Sequence, residues 1–420
     1  MDARLSTILK YRVGLNDLPR LGLLRNEYLD KLFEFVGTQL VKVLVGQRRV
    51  GKSFLLRQVA LRLLQNGVLA QNIVYINKEF SDYDFLESND DLNSLFTLYK
   101  KEFNPVGKVY WLIDEIQNIN EWERFVNSVS QDFREDCELF ISGSNSHLLS
   151  GELATLLSGR YVSFNVFTLS FGEYVLANNL TIGRSAFMDY IQKGGFPEFV
   201  NLPLEESRRN YVSAIKDTVL LRDIVQRFKV KDAQLLEDIF VYLVNNASNL
   251  ISISNIVNYF ESKKRKTNYE TVSTYISYLA NAFLIHKAER YNIRGKETIS
   301  GNCKYYINDV AFRNYLYKGF GYGTGYLLEN TVYLELRRLG FNVYVGSIND
   351  KEVDFVALKD DRKIYLQVSY SLEDTNIAER EYSSLEAIRD SYEKYVVSLD
   401  EITFPVRNGI KHLKAWEMRL

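Results

Sequence analysis

A glycine-rich motif behind a short apolar strand constrains this chain more than any other feature. Residues 46–53 read G-x-x-x-x-G-K-S, the apolar run Val41–Val45 precedes them, and a helical stripe of apolar residues follows. In that context backbone N–H groups and the positive end of the helix surround a phosphate chain. The lysine reaches the β/γ oxygens, and the serine hydroxyl binds Mg²⁺. The predicted nucleotide contacts are Gly46, Gln47, Arg48, Arg49, Val50, Gly51, Lys52, Ser53 and Phe54.

Two later strand ends supply the remaining parts of such a site. The apolar run Val109–Ile113 ends in Asp114 and Glu115, and the following strand ends in Ser144 and Asn145. We expect Asp114 to join Ser53 as a Mg²⁺ ligand, and Glu115 to orient or deprotonate the attacking water. Asn145, or Ser144 in its place, is a candidate to sense the γ-phosphate. The structural alternatives are two solvated acids and a Ser/Asn turn; together the motifs predict ATP and Mg²⁺ as cofactors.

Alternating β and α patterns fill residues 25 to 200. The predicted strands are Val41–Val45, Ile73–Ile76, Val109–Ile113 and Leu139–Ser142, with a helix at Trp122–Val129. Runs that are apolar at nearly every position are typical of buried parallel strands. We therefore predict an α/β core, a parallel sheet flanked by helices, over residues 1–203.

The rest of the chain divides by pattern into two further domains. Residues 204–310 are mainly helical and end in two extended runs, an order typical of a winged helix. One of their helices is predicted to begin at a capping box, Thr267 to Glu270. Residues 311–420 contain a helix, three extended runs, another helix and a last strand at Lys394–Leu399, which predicts a small α/β domain.

Composition narrows the function classes. The net charge of −1 does not indicate a nucleic-acid binder, so any DNA contact needs a local patch. The two cysteines, Cys137 and Cys303, exclude a four-cysteine zinc site and fit a reducing compartment. The N-terminal residues lack the apolar core of a secretory signal, and no apolar run is long enough to span a membrane. The expected location is the cytoplasm.

The chain resembles the AAA+-like P-loop ATPases of bacteria and archaea that carry a C-terminal region of uncharacterised function. Beyond the phosphate loop, the resemblance rests on DEIQNINEWE (114–123), GSNSHLLSGELATLLSGR (143–160), LSFGEY (169–174), GGFPE (194–198), LLRDIV (220–225) and KYYINDVAFR (304–313). It implies an ATPase core, a winged-helix middle and a nuclease-like C-terminal fold. It also implies that Arg160 touches the γ-phosphate, in cis or from a neighbouring subunit; a surface or ion-paired arginine is the alternative.

The implied C-terminal fold is a degenerate PD-(D/E)xK nuclease. Its site would be formed by Glu329 on a helix, Asp354 on one strand and Gln367 on the next, with Ser369 where the catalytic lysine is expected. Two carboxylates remain for a hard cation, and the charge stabiliser is missing. We therefore expect no nuclease activity, and a structural or DNA-docking remnant of the fold.

A run of four cations offers one local DNA contact. Lys263, Lys264, Arg265 and Lys266 precede the predicted recognition helix and could meet phosphates, although a solvated turn is the alternative. The leading hypothesis is a Mg²⁺-dependent ATPase that acts as a nucleotide-driven switch. The alternatives are a DNA-processing ATPase and a nucleotide-dependent scaffold for a protein partner, and any of the three could form an oligomer.

Overall fold

The computed structural model describes residues 2–132, 134, 136–145, 157, 159–317 and 323–418. The chain divides at Val166/Phe167 into two compact units, called here the first unit (Met1–Val166) and the second unit (Phe167–Leu420). Within the described residues, no helix combines the length and apolar character that a membrane crossing requires.

A five-stranded parallel sheet organises the first unit, with the order β2-β3-β4-β1-β5. Its helices and strands are α1 (Ala3–Lys10), α2 (Asn26–Phe33), β1 (Val41–Val45), α3 (Lys52–Gln65), β2 (Ile73–Asn77), α4 (Asn89–Phe103), β3 (Val109–Asp114), α5 (Trp122–Gln131), β4 (Cys137–Gly143) and β5 (Tyr161–Asn165). Short 3₁₀ turns lie at Leu15–Arg20, Ala70–Asn72, Ser81–Tyr83 and Ile116–Asn118.

The four predicted strands all form, with ends within two residues of the prediction. Every residue of β1, β2 and β3 is buried, which explains why these strands are apolar at nearly every position. The sequence analysis did not predict β5. This edge strand is partly exposed and its sequence, YVSFN, mixes polar and apolar residues, so it lacks the pattern of a buried strand.

The strand order determines where a ligand can bind. The chain leaves β1 toward β2 at one edge of the sheet, and it leaves β4 toward β5 at the other edge. Because β1 and β4 are neighbours, the connections that follow these two adjacent strands run to opposite edges of the sheet. Open α/β sheets bind ligands at the carboxyl end of the strands at such a point. The predicted phosphate loop follows β1 and therefore lies there.

The second unit combines a helical part with a seven-stranded mixed sheet. Its helices and strands are α6 (Phe171–Ala177), α7 (Arg184–Lys193), α8 (Glu205–Thr218), α9 (Ala233–Asn245), α10 (Ile253–Ser262), α11 (Tyr269–Asn281), β6 (Ile285–Asn292), β7 (Glu297–Ile307), α12 (Thr324–Arg338), β8 (Asn342–Ile348), β9 (Lys351–Lys359), β10 (Arg362–Val368), α13 (Thr375–Glu386), β11 (Glu393–Ser398) and β12 (Ile410–Lys414). Two π-helices (Val219–Gln226 and Phe312–Leu316) and 3₁₀ turns at Pro197–Asn201 and Ala415–Glu417 complete the set.

Two local predictions for the second unit were wrong. The N-cap of α11 is Asn268, whose side chain accepts a hydrogen bond from the Thr271 N–H, so the capping box predicted at Thr267 does not form. Asparagine is among the strongest N-cap residues and sits one position later. The strand at Glu393–Ser398 is also not the last, because β12 follows it in the same sheet.

The hairpin of β6 and β7 belongs to the same sheet as the C-terminal strands. The sheet order is β12-β11-β10-β9-β8-β6-β7, and β6 pairs in parallel with β8 at Arg290–Asn292. The structure thus joins the hairpin, which the sequence analysis assigned to residues 204–310, to the strands of residues 311–420. The α/β fold class is confirmed: a parallel P-loop core and a separate mixed sheet. The winged-helix and nuclease-like assignments stay predictions.

The GGFPE (194–198) and KYYINDVAFR (304–313) motifs meet in the second unit at the buried carboxylate of Asp309. Asp309 accepts hydrogen bonds from the Gly195 N–H (2.9 Å) and the Ala311 N–H (2.8 Å). Gly194 has φ of +91°, and a Cβ there would lie 2.2 Å from Asp309 Oδ1. Burial raises the pKa of Asp309, and the hydrogen bonds from Ala311, Thr168 and Gly195 oppose that rise. Both motifs are therefore explained by a structural contact.

Replacement of Gly194 by alanine should destabilise the second unit. The new Cβ would collide with Asp309 and strain the backbone, at a cost of about 2–4 kcal/mol in the free energy of unfolding. Gly183→Ala is the control, because Gly183 has an extended backbone and nothing within 4 Å of an added Cβ. Urea unfolding followed by circular dichroism measures both, and equal midpoints for the two variants would contradict the contact.

Candidate phosphate-loop site

Two glycines shape the loop that connects β1 to α3. A Cβ on Gly46 (φ +153°) would lie 2.2 Å from the Val166 carbonyl oxygen, so this position has no room for a side chain. Gly51 has φ of +98° and Arg49 has φ of +67°, which turns the backbone back toward the start of α3 at Lys52. Val50 is fully buried and anchors the loop in the core of the first unit. The buried Val50 side chain thus fixes the loop to the core, and the N-terminus of α3 lies next to the loop.

The lysine of the motif is buried against the loop. Lys52 Nζ donates to the carbonyl oxygens of Gly46 (2.8 Å) and Gln47 (3.0 Å), and it lies 4.0 Å from Glu115 Oε1. An ammonium removed from water needs such partners. An anionic phosphate oxygen is a stronger acceptor than two neutral carbonyls, so Lys52 is placed to exchange them for a phosphate.

The carboxylate of Asp114 is held by three donors from the two neighbouring strands. Ser142 Oγ on β4 donates to Oδ1, and Asn77 Nδ2 (3.0 Å) and Tyr75 OH (3.3 Å) on β2 donate to Oδ2. Asn77 and Asp114 are register partners in the sheet. The sequence analysis did not identify Tyr75, Asn77 or Ser142. The polar end of the second strand, in IVYIN, was the available signal for Asn77.

Burial is the strongest influence on the pKa of Asp114. Burial raises its pKa, and the neighbouring charge of Glu115 adds to that rise. Hydrogen bonds from Ser142 and Ser53, together with the charge of Lys52, lower the pKa in opposition. Ser53 and Lys52, at the start of α3, therefore favour the ionised form of Asp114, which lies at the end of a different strand.

The hydroxyl oxygen of Ser53 and the carboxylate oxygens of Asp114 are of the kind that Mg²⁺ prefers in proteins. Magnesium is usually held by one or two carboxylates together with water and substrate phosphates, and not by a cage of protein ligands. In the part of the chain that the structure describes, no group of three or more His, Cys, Asp or Glu side chains is arranged to hold a metal. The pair of Ser53 and Asp114 beside the loop fits a magnesium ion that is shared with a nucleotide.

Glu115 is positioned by its backbone and by a neighbouring amide. It is only 6% exposed and has a positive φ of +53°, which turns it away from the line of β3. Gln117 Nε2 donates to Glu115 Oε2 and lies 3.4 Å from Ser144 Oγ at the end of β4. Gln117 thus connects the predicted base to the polar strand end, and the sequence analysis did not single it out.

The structure brings most of the predicted site residues together, but not Arg160. Ser144 and Asn145 are buried at the carboxyl end of β4, whose Gly143 is the register partner of Val45. Arg160 instead precedes β5, where its carbonyl accepts a hydrogen bond from the Val41 N–H. That is the opposite end of β1 from the loop, about 16 Å of strand away.

Four predicted contact side chains, Gln47, Arg48, Arg49 and Phe54, differ in their surroundings, and Arg49 is exposed. Arg48 forms an ion pair with Glu79 (2.8 Å), Phe54 is 43% exposed, and Gln47 is buried. Phe54 on the first turn of α3 packs near Arg57, whose guanidinium lies 4.4 Å from the ring centre. Direct nucleotide contacts by these side chains stay predictions.

The residues predicted in the C-terminal region also converge. Glu329, Asp354, Gln367 and Ser369 line one cavity of about 630 Å³ in the second unit. Of the four predicted cations, Lys263, Lys264 and Lys266 are exposed. The fourth, Arg265, forms ion pairs with Asp232 and Asp238, so much of its charge is already compensated.

Two family models match separate parts of the chain. A family described as "AAA domain" matches residues 38–175, and a family described as "Domain of unknown function (DUF8612)" matches residues 184–322. The first match contains the phosphate loop, Asp114, Glu115 and the end of β4.

Two relatives match over most of the chain. An uncharacterized protein of Haemophilus influenzae is 38% identical over 380 residues, which cover 89% of this chain and 92% of that protein. The uncharacterized protein MJ1544 of Methanocaldococcus jannaschii is 31% identical over 374 residues, covering 83% and 79%. Among solved structures, the Walker-type ATPase PABY2304 of Pyrococcus abyssi aligns with a TM-score of 0.47 and 15% identity, covering 70% of this chain and 95% of that one.

Ser142→Ala should make magnesium-dependent ATP binding more sensitive to acid. The hydrogen bond from Ser142 lowers the pKa of Asp114, so its loss raises that pKa further. Because the metal needs the ionised carboxylate, the gain in ATP affinity from Mg²⁺ should disappear at a higher pH than in the wild type. At a fixed mildly acidic pH we expect a loss of about tenfold.

Titration calorimetry of ATP with and without Mg²⁺, over a series of falling pH values, measures this shift. Ser163→Ala is the matched control, since Ser163 is an exposed serine on β5 of the same sheet. Superimposable pH profiles for the wild type and Ser142→Ala would show that the hydrogen bond does not tune Asp114.

Proposed function

We propose an ATP-driven function for this chain, which belongs to the same family as the uncharacterized proteins of Haemophilus influenzae and Methanocaldococcus jannaschii and matches an AAA domain over residues 38–175. Its first unit has the AAA-type P-loop ATPase fold. The specific proposal is Mg²⁺-dependent hydrolysis of ATP. The observation that carries it is the position of the Lys52 ammonium, which donates to the carbonyl oxygens of Gly46 (2.8 Å) and Gln47 (3.0 Å) and lies 4.0 Å from Glu115 Oε1.

Each residue of the site has a defined task in this proposal. The loop N–H groups and the N-terminus of α3 bind the phosphate chain, and Lys52 transfers its hydrogen bonds from the loop carbonyls to the β/γ oxygens. Ser53 and Asp114 would hold Mg²⁺, which neutralises the charge that develops on the phosphates. Glu115 orients the attacking water and takes up its proton. Gln117 keeps the Glu115 carboxylate in place.

Arg160 enters this proposal only from a neighbouring copy of the chain. It is exposed and lies at the end of β1 remote from the loop, so its own site is out of reach. An arginine presented by an adjacent subunit is a recurring way to stabilise the charge on a transferred phosphoryl group.

Two substitutions separate binding from hydrolysis. Lys52→Ala should weaken ATP binding by about 100-fold or more, because it removes the charge that pairs with the phosphates. Glu115→Gln should keep ATP affinity and lower turnover by about 10²–10⁴-fold, because the amide cannot accept the proton of water. Calorimetry for affinity and phosphate release for turnover measure the two effects.

The control for both variants is Lys101→Ala, an exposed lysine in the last turn of α4. It should leave affinity and turnover unchanged. Hydrolysis at the wild-type rate in both Lys52→Ala and Glu115→Gln would exclude this site as the seat of the activity.

The nucleotide-driven switch is the favoured use of this hydrolysis. Glu115 contacts Gln117, which reaches Ser144 at the end of β4, so a change at the predicted base is passed to a second strand end. Lys52 is also within 4.0 Å of Glu115, which places the phosphate-binding charge and the base in one network. Such a shared network supports a coupling between the nucleotide state and the strand end at Ser144.

A DNA-dependent role is the second candidate, and one surface favours it. Lys263, Lys264 and Lys266 are exposed, and two exposed aromatic residues, Tyr259 and Tyr269, lie within a few residues of them along the chain. Lysines that neutralise phosphates release counterions, and aromatic rings can stack on unpaired bases.

Replacement of Lys263, Lys264 and Lys266 by glutamine tests this role. If these lysines bind single-stranded DNA, the slope of log affinity against log salt should become shallower by about 0.7 for each phosphate that the variant no longer neutralises. Fluorescence anisotropy of a labelled single strand at several salt concentrations measures the slope. The control is a double glutamine variant at Lys229 and Lys231, two exposed lysines of the same unit. Equal slopes in the triple variant and the wild type would exclude this surface as the DNA-binding site.

A further inference from the structure

A buried lysine lies among the carboxylates of the nuclease-like region. Lys304, on β7, is almost fully buried, with 4% of its side chain exposed. Its Nζ lies 2.8 Å from Glu329 Oε1, 2.7 Å from Glu352 Oε1 and 3.6 Å from Asp354 Oδ1. The sequence pattern did not point to Lys304, because it comes from a hairpin strand far from the strand that carries Ser369.

Two of the three carboxylates also accept hydrogen bonds from protein donors other than Lys304. Glu329 Oε1 accepts a second hydrogen bond from Tyr306 OH (2.7 Å), and Asp354 Oδ2 accepts one from the Val368 N–H (2.8 Å). The Gln367 side chain turns its oxygen toward the Asp354 N–H, so it does not present that oxygen to a cation. One oxygen of each acid therefore faces the ammonium, which occupies the position that a metal ion bound by these three oxygens would need.

The charges of the surrounding carboxylates also favour the protonated form of Lys304. Burial by itself would lower the pKa of Lys304, but the charges of Glu329, Asp354 and Glu352 outweigh burial and raise it. Three carboxylate oxygens lie within 3.6 Å of Nζ, so the geometry also favours the charged form of the lysine. A divalent ion bound by the same oxygens would lie next to this fixed positive charge in a region that screens charge poorly. In the described parts of the chain, no set of acidic, histidine or cysteine side chains has the arrangement of a metal site.

We propose that the ammonium of Lys304 is the built-in cation of this centre, which takes the place of a divalent metal and keeps the nuclease-like region metal-free. In this proposal, Lys304 does not replace the catalytic lysine that is expected at position 369, because it does not act beside a bound metal. The centre instead ties the β6–β7 hairpin to α12 and β9 through ion pairs within the second unit. This inference does not depend on ATP hydrolysis.

Removal of the ammonium should uncover a divalent-cation site. Lys304→Met keeps most of the apolar stem and leaves three carboxylates without their counter-charge. In the full-length chain without nucleotide, we expect this variant to bind one Mn²⁺ more than the wild type, counted by electron paramagnetic resonance of free Mn²⁺. The double variant Lys304→Met/Asp354→Asn should lose the added ion. Mn²⁺ should also raise the melting temperature of Lys304→Met and leave that of the double variant unchanged.

The control is Lys287→Met, which removes a half-exposed lysine from β6 of the same hairpin and leaves the acidic centre intact. It should bind as much Mn²⁺ as the wild type. A folded Lys304→Met protein, verified by circular dichroism, that binds no additional Mn²⁺ would overturn the proposal.

A comparison of the wild type with Asp354→Asn keeps the test decisive even if Lys304→Met does not fold. The proposal expects the same Mn²⁺ count for both proteins, because no metal occupies the centre of the wild type. A lower count for Asp354→Asn would mean that Lys304 works beside a bound metal, and the proposal would be wrong.

Discussion

The parallel register of β2, β3, β4 and β1 is the constraint on which the proposed ATPase site depends. It aligns Val45 with Gly143, and Asn77 with Asp114, so that four strand ends open on one edge of the sheet. A shift of one strand by one residue would turn its side chains to the opposite face. The loop lysine lies at the start of α3 and the predicted base follows β3, and this register brings Lys52 Nζ to 4.0 Å from Glu115 Oε1.

Buried charge compensated by specific partners recurs in both units. In the first unit, the Lys42–Glu138 ion pair is almost completely buried at the end of the sheet away from the loop. In the second unit, Asp309 is held by backbone N–H groups and Lys304 by three carboxylates. Loss of one partner from such a group leaves an uncompensated buried charge, which typically costs about 3–5 kcal/mol. These interactions therefore specify which segments must meet.

The sequence patterns predicted the first unit better than the second. Buried parallel strands are apolar at almost every position, so β1 to β4 were recognisable, whereas the edge strand β5 is half exposed and was not. In the second unit, the three helices before a hairpin were predicted in the observed order. The pairing of that hairpin with β8 was not, because contacts between residues 290 and 345 leave no local signal.

By itself, the sequence determined the phosphate loop, the acidic strand end and their order, because these depend on local spacing and on the φ that glycine permits. The tertiary structure decided which distant side chains complete each centre. It added Tyr75, Asn77 and Ser142 to Asp114, moved Arg160 out of reach of its own loop, and put Lys304 among the acids of the C-terminal region. The physical reason is that a buried charge is satisfied by whatever donor the fold brings near, and chain position does not record that proximity.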